Sequence, residues 1–186
     1  MKKKIKNAII SVSDKSGLKE IVKTLDKYKI NIISSGGTAE FIRKTGVKCK
    51  DISDFTQFNE MLNGRVKTLH PKVHAGILFR RSKSKHLSEL KKLQFEPIDL
   101  VIVNLYPFKE TLKKTSNSNK IIENIDIGGP TMVRSSAKNY KDVTIITDKI
   151  DYKELTDQIK VYGGKTNLLF REKMARKAFN FTAYYD

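Results

Sequence analysis

From Asp99 to Leu105 the chain reads Asp-Leu-Val-Ile-Val-Asn-Leu, apolar at consecutive rather than alternate positions. A strand made from it buries both faces. Sheets buried on both faces are the parallel sheets of α/β proteins, covered by helices above and below. A sheet solvated on one side is therefore excluded as its setting, and the segment belongs at the centre of a sheet. Ala8–Val12 and Asn31–Ser35 read as further short strands, Lys48–Ile52 as a weaker one, and Val143–Thr147 as the last. His74–Phe79 also reads as a strand. Between them, Ser16–Tyr28 carries Leu18, Ile21, Val22 and Leu25 at helical spacing. Thr38–Thr45 is a helix closed by Gly46. Ser82–Leu93 is a charged amphipathic helix, Tyr152–Val161 and Leu168–Phe179 read as helical, Ser53–Lys72 is a long irregular connection, and Lys113–Lys120 is a surface loop. Strands separated by helices imply βαβ units with right-handed crossovers and a mostly parallel sheet.

At 186 residues one domain is the default. No apolar run has the length needed to span a bilayer. The basic start Met1-Lys2-Lys3-Lys4 leads only into the short block Ala8–Val12 and has no cleavage pattern, so a signal peptide is rejected. The single cysteine, Cys49, leaves no internal disulfide and fits a reducing cytoplasm. The net charge is +17, with lysines scattered over the whole length, as a solvated basic surface would have them. No nucleic-acid partner is expected from it, although such a surface draws in anionic metabolites.

In open parallel sheets the ligand sits beyond the carboxyl ends of the strands. Three unusual segments fall there: Ser13-Asp14-Lys15, Ser35-Gly36-Gly37-Thr38 and Asn104-Leu105-Tyr106. Gly36 and Gly37 let the backbone approach an anion, with free N–H groups at a helix start. The plain alternative is a Gly-rich turn capped by Thr38. Lys15 adds an ammonium to the same pocket. Arg65-Val66-Lys67-Thr68 places two cations in the long connection, near His70 and Pro71. Arg65 can fork onto a phosphate or ribose, and Lys67 can reach an oxyanion. Otherwise the segment is a solvated basic loop. Tyr106 reads equally well as a core tyrosine. Asp126 precedes Gly128-Gly129-Pro130, where Pro130 suits a first helical turn and the carboxylate suits the dipole. Lys138 lies near the end of that helix, where a cation complements the carbonyls. His74 and His86 lack partners at ligand spacing, so no metal is expected.

Together these segments resemble the cyclohydrolase domain of the AICAR transformylase/IMP cyclohydrolase family. The similarity runs from Ile9–Lys15 through Ser34–Ala39, Gly64–Pro71, Asn104–Phe108 and Ile125–Asn139 to Lys177–Ala183. It implies a methylglyoxal-synthase-like fold, a three-layer α/β sandwich over a mostly parallel sheet. The domain would span 1–186, with a core to about 148 and C-terminal helices over 150–186. The implied reaction closes FAICAR, a formylated carboxamide ribotide, to IMP with loss of water, the last step of de novo purine synthesis. The implied substrate-binding residues are Ser13, Asp14, Lys15, Ser35, Gly36, Gly37, Thr38, Arg65, Val66, Thr68, Val103, Asn104 and Ile127. Lys138 would carry the catalytic proton, supported by Lys67, Tyr106 and Asp126. Lys67 and N–H groups near Gly128-Gly129 would stabilise the formyl oxygen. The sequence does not divide acid from base between Asp126 and Lys138. This step implies no cofactor. 10-Formyltetrahydrofolate serves only the transformylase domain, which is absent here. The family is cytoplasmic and homodimeric. It usually has His where Phe181 stands, and its chain continues well past Asp186, so this sequence is a fragment or a stand-alone domain. Two other readings stay open: a ligand-sensing module of the same fold, as in carbamoyl phosphate synthetase, and a nucleic-acid binder resting on charge alone.

Overall fold

A computed structural model describes residues 1–106 and 108–186, without the side chains of 109–111. Pro107, part of the Asn104–Phe108 motif, lies outside the described residues. The chain runs through β1 (Lys2–Lys4), β2 (Asn7–Val12), α1 (Leu18–Lys27), β3 (Asn31–Ser34), α2 (Gly36–Lys44), β4 (Lys50–Asp51) and α3 (Ile52–Thr56). It continues with α4 (Pro71–Leu78), α5 (Ser84–Lys92), β5 (Leu100–Asn104), α6 (Phe108–Lys114), α7 (Ser118–Glu123) and α8 (Gly128–Lys138). Last come β6 (Thr144–Ile146), α9 (Tyr152–Val161), β7 (Lys165–Asn167) and α10 (Leu168–Tyr185).

Five strands form a parallel sheet in the order β4-β3-β2-β5-β6. The consecutive apolar run is the reason for that order. Leu100, Val101, Ile102 and Val103 are all buried, so β5 must sit inside the sheet with cover on both faces. β2, also buried almost throughout, lies beside it, with Ile10 opposite Ile102 and Val12 opposite Asn104. On α1 the residues Leu18, Ile21, Val22 and Leu25 form the buried stripe that their spacing predicts. α8 and α10 pack on each other, and the C-terminal helix contributes Phe170, Met174, Ala175 and Ala178 to the same core as the sheet. Phe181 packs on the edge of that core. Among the described residues, no helix is long and apolar enough to cross a membrane.

Three readings of the sequence are corrected. Ser53–Lys72 is not wholly irregular: it opens in α3, where the Asp51 side chain accepts the Ser53 N–H at 3.1 Å, and ends in the first turn of α4. His74–Phe79 is not a strand but most of α4. Its apolar run is too short for periodicity to decide, and local capping decides instead. Pro71 occupies the first turn, and His70 Nδ1 accepts the Lys72 N–H at 3.1 Å. Gly76 then lets α4 press onto the next segment, since a Cβ there would lie 2.7 Å from the Glu96 carbonyl. Lys113–Lys120 is not one loop. It holds the end of α6 and the start of α7, where the Asn117 side chain accepts the Lys120 N–H at 3.1 Å. The short antiparallel pair β1–β7 has no counterpart in the sequence reading.

Arg171 on α10 is fully buried and ties this region together. It donates to the carbonyls of Tyr140 at 2.9 Å, Thr166 at 2.6 Å, Lys141 at 3.2 Å and Met1 at 3.4 Å. Burial pushes the guanidinium pKa down, with Asp142 opposing the shift. Arg171→Ala strands those carbonyls, and the expected loss is about 3 kcal/mol. Urea unfolding followed by circular dichroism checks this.

Candidate functional site

The carboxyl end of the sheet is held by Asn104, the last residue of β5. Its Oδ1 accepts the Ser13 N–H at 2.6 Å, the Ser13 hydroxyl at 2.9 Å and the Asp14 N–H at 3.2 Å. Its Nδ2 returns a bond to the Asp14 carbonyl at 3.0 Å. The turn after β2 is thereby fixed to β5. Thr38 closes the other side. Its buried hydroxyl donates to the Val12 carbonyl at 2.9 Å and accepts the Val12 N–H at 3.2 Å, holding the start of α2 against β2. Lys15 Nζ then lies 3.9 Å from where a Cβ on Gly37 would stand. Ser35 is extended, leads into α2 and makes no side-chain cap bond, while Gly36 has φ +51° and open space around it. An ammonium, a helix start and unobstructed glycines thus meet in one place. Lys149, at 2.8 Å, and Ser16 hold the Asp14 carboxylate and keep its pKa well below the usual range.

A second set of residues joins at Asn104 and Leu105. Asp126 Oδ1 accepts the Gly129 N–H at 2.8 Å, and the Asp126 N–H donates to the Tyr185 hydroxyl at 2.9 Å. Burial raises the Asp126 pKa, with the Gly129 bond opposing. Gly129 packs so closely that a Cβ would fall 2.6 Å from Leu105 Cδ2, and on Gly128 one would fall 2.5 Å from Thr68 Oγ1. These two contacts press the head of α8 onto Leu105, just past β5, and onto the loop that carries Arg65 and Lys67. The Gly129 N–H is already committed to Asp126, so the expectation that it faces an oxyanion is not met.

Ser13, Lys15, Ser35–Thr38, Thr68, Asn104 and Asp126 are linked by this chain of contacts. Tyr106 and Ile127, next to Leu105 and Asp126 in sequence, are 52% and 58% exposed. Val103 is fully in the core, so only its backbone can face a ligand. Val66 forms a β-bridge with Met61. Arg65 pairs with Glu123, and Lys67 pairs with Glu60 at 3.1 Å. Lys138 stands at the far end of α8 from the Gly128–Gly129 contacts. α8 has 11 residues with Gly128 first and Lys138 last, so about 15 Å of helix separates them at ~1.5 Å per residue. His74 bridges α4 and α8 through Nδ1, 3.2 Å from Ser135 Oγ, and burial pushes its pKa down.

A family model for the MGS-like domain matches residues 17–131. The chain belongs to the MGS-like domain family. Another model, for the AICARFT/IMPCHase bienzyme, matches residues 136–186 of this MGS-like chain. It is 51% identical over 183 residues to the bifunctional purine biosynthesis protein PurH of Acetivibrio thermocellus, covering 98% of this chain and 35% of that protein. Identity to PurH of Persephonella marina is 50% over 181 residues, covering 97% of this chain and 35% of the relative. The MGS-like chain therefore spans about a third of the length of these curated relatives, in their N-terminal part. Among solved structures, the crystal structure of ForH superposes with a TM-score of 0.87 at 30% identity, covering 98% of this chain and 95% of that one.

The sequence reading did not find Glu60, Glu123, Lys149 or Tyr185. Glu123 lies three residues before Asp126, and that nearness was its only signal. Tyr185 lies 59 positions away in sequence, and no local pattern points to it. The packing at α8 gives a direct test. Gly128→Ala is expected to destabilise the chain by about 1–3 kcal/mol through overpacking. Thr68→Ala in the same chain removes the clashing hydroxyl and should recover most of that loss, measured by thermal unfolding.

Proposed function

We propose that this chain is an IMP cyclohydrolase, closing FAICAR to IMP at the carboxyl ends of β2, β3 and β5. What carries the reading is the gathering of Ser13–Lys15, Ser35–Thr38, Asn104 and the Asp126–Gly129 turn at one end of the sheet. That gathering occurs in a chain about half identical to purine biosynthesis proteins. Lys15 and the backbone at Gly36, Gly37 and Thr38 take the phosphate, where a helix start favours an anion. Arg65 binds the phosphate or ribose. Val66, Thr68 and the Val103 backbone complete the wall, and Tyr106 and Ile127 flank the heterocycle.

The reaction is intramolecular. The carboxamide nitrogen attacks the formyl carbon, forming a C–N bond and a tetrahedral carbinolamine. The former formyl oxygen then leaves as water, with one proton from the carboxamide nitrogen and one from the formamide nitrogen. Holding the two arms at attack distance is the enzyme's first task. Lys67 stabilises the charge that grows on the formyl oxygen. Asp126, half-buried with a raised pKa, takes the proton from the carboxamide nitrogen. The step balances without a cofactor. A cytoplasmic setting and a homodimer belong to this proposal through the family.

Asp126→Asn is expected to lower turnover by about 100-fold or more, the usual scale for a general base, while IMP still binds. A base works in its ionised form. The raised pKa therefore puts the acid limb of kcat above the ordinary carboxylate value, and that limb should vanish in Asp126→Asn. Measuring IMP formation by absorbance across pH checks both. Lys138→Ala separates the two proton carriers. Turnover lost with IMP binding intact assigns the proton to Lys138 and requires it to be brought to the ring from outside this arrangement. Unchanged turnover leaves the proton with Asp126.

A further inference from the structure

We propose that Glu123 is a positioning residue for Arg65, holding the guanidinium at the rim of the site while its remaining N–H groups face the nucleotide. The inference rests on the nucleotide-site reading above. Arg65 Nε donates to Glu123 Oε2 at 3.2 Å, and Nη2 donates to Oε1. This is the two-point fork by which a planar guanidinium fits a carboxylate. A guanidinium has five N–H donors. The fork uses one edge and leaves Nη1 and the second hydrogen of Nη2 to point away from Glu123. Ligand binding at Arg65 therefore does not require Glu123 to leave. Each partner favours the charged form of the other, which raises the Arg65 pKa and lowers that of Glu123.

Two features separate this pair from an ordinary surface ion pair. The backbone beside Glu123 is pinned, because the Tyr185 hydroxyl donates to the Asn124 carbonyl at 3.4 Å while accepting the Asp126 N–H at 2.9 Å. The pair also spans the site, joining the loop of Lys67 and Thr68 to the segment that carries Asp126. Lys67 has its own carboxylate, Glu60, so Glu123 is not shared between the two cations. Arg65 and Glu123 are both exposed, with side chains 60% and 54% accessible. Such a pair adds little to folding, so its loss is read in binding and not in stability.

The test compares Arg65→Ala, Glu123→Ala, Glu123→Gln and the double alanine variant in the 186-residue chain. It measures the Kd for IMP, kcat and KM for FAICAR, and Tm. Glu123→Ala is expected to raise Kd and KM about fivefold, the upper end for an exposed pair, with kcat and Tm unchanged. Glu123→Gln, which keeps an acceptor oxygen, falls between it and the wild type. Arg65→Ala costs about tenfold or more, and the double variant is no weaker than Arg65→Ala, because Glu123 acts through Arg65. Losses that add in the double variant, or a Glu123→Ala chain that binds IMP as well as or better than the wild type, overturn the positioning role. If the wild-type chain binds no IMP at all, the nucleotide-site reading falls and takes this proposal with it. Normal IMP binding that ignores Glu123 sinks this proposal alone.

Discussion

The clasp between Asn104 and the Ser13–Asp14 turn is the contact on which the site depends. It follows from register: Val12 lies opposite Asn104, so the last side chain of β5 meets the first residues beyond β2. Asn104 uses both ends of its amide there, accepting from Ser13 and Asp14 and donating back to the Asp14 carbonyl. An amide that both accepts and donates suits a turn offering N–H groups and a carbonyl together. Aspartate at position 104 could accept but not donate. The clasp fixes where Lys15 emerges, and Thr38 fixes where α2 begins. Leu105, the next residue, is the surface on which Gly129 seats α8. One strand end thus aligns the proposed anion pocket and the carboxylate of Asp126.

Electrostatics divides the two aspartates of the site. Asp14 is exposed and bonded to Lys149 and Ser16, so it stays ionised far into acid. Asp126 is half-buried, with one bond from the Gly129 N–H, so burial wins and its pKa rises. A carboxylate held low serves as a fixed charge or an anchor. One raised toward neutrality can take up and release protons. The cations are organised in the same way, each loop cation having its own carboxylate, Arg65 with Glu123 and Lys67 with Glu60. Two of the cations where the chemistry is proposed to occur are therefore locally compensated.

Much of the fold was legible because burial imposes simple patterns. The both-faces apolar run of β5 and the stripe of α1 required the structure they have. β4 and α3 share a junction that the sequence marked only as a weak strand running into a loop. α4 was misread because its apolar stretch is short and its helical state rests on a proline and a histidine cap. The β1–β7 pair has too few residues for any period to show. The candidate site segments Ser13–Lys15, Ser35–Thr38, Arg65–Thr68 and Asp126–Ile127 are each contiguous in sequence, which is what made them legible. Partners supplied by distant elements, such as Tyr185 and Glu123, were not found, since pairing across the fold leaves no local trace. Lys138 shows the converse. It shares the Ile125–Asn139 motif with Asp126 but stands at the far end of α8.

The most direct measurement is a titration of the 186-residue chain with IMP, following backbone amide shifts by NMR. The account predicts the largest shifts at Ser13–Lys15, Gly36–Thr38, Arg65–Thr68 and Asp126–Ile127, with the opposite end of the sheet little changed. Saturable binding whose shifts fall elsewhere, or no binding by the folded chain, would contradict it.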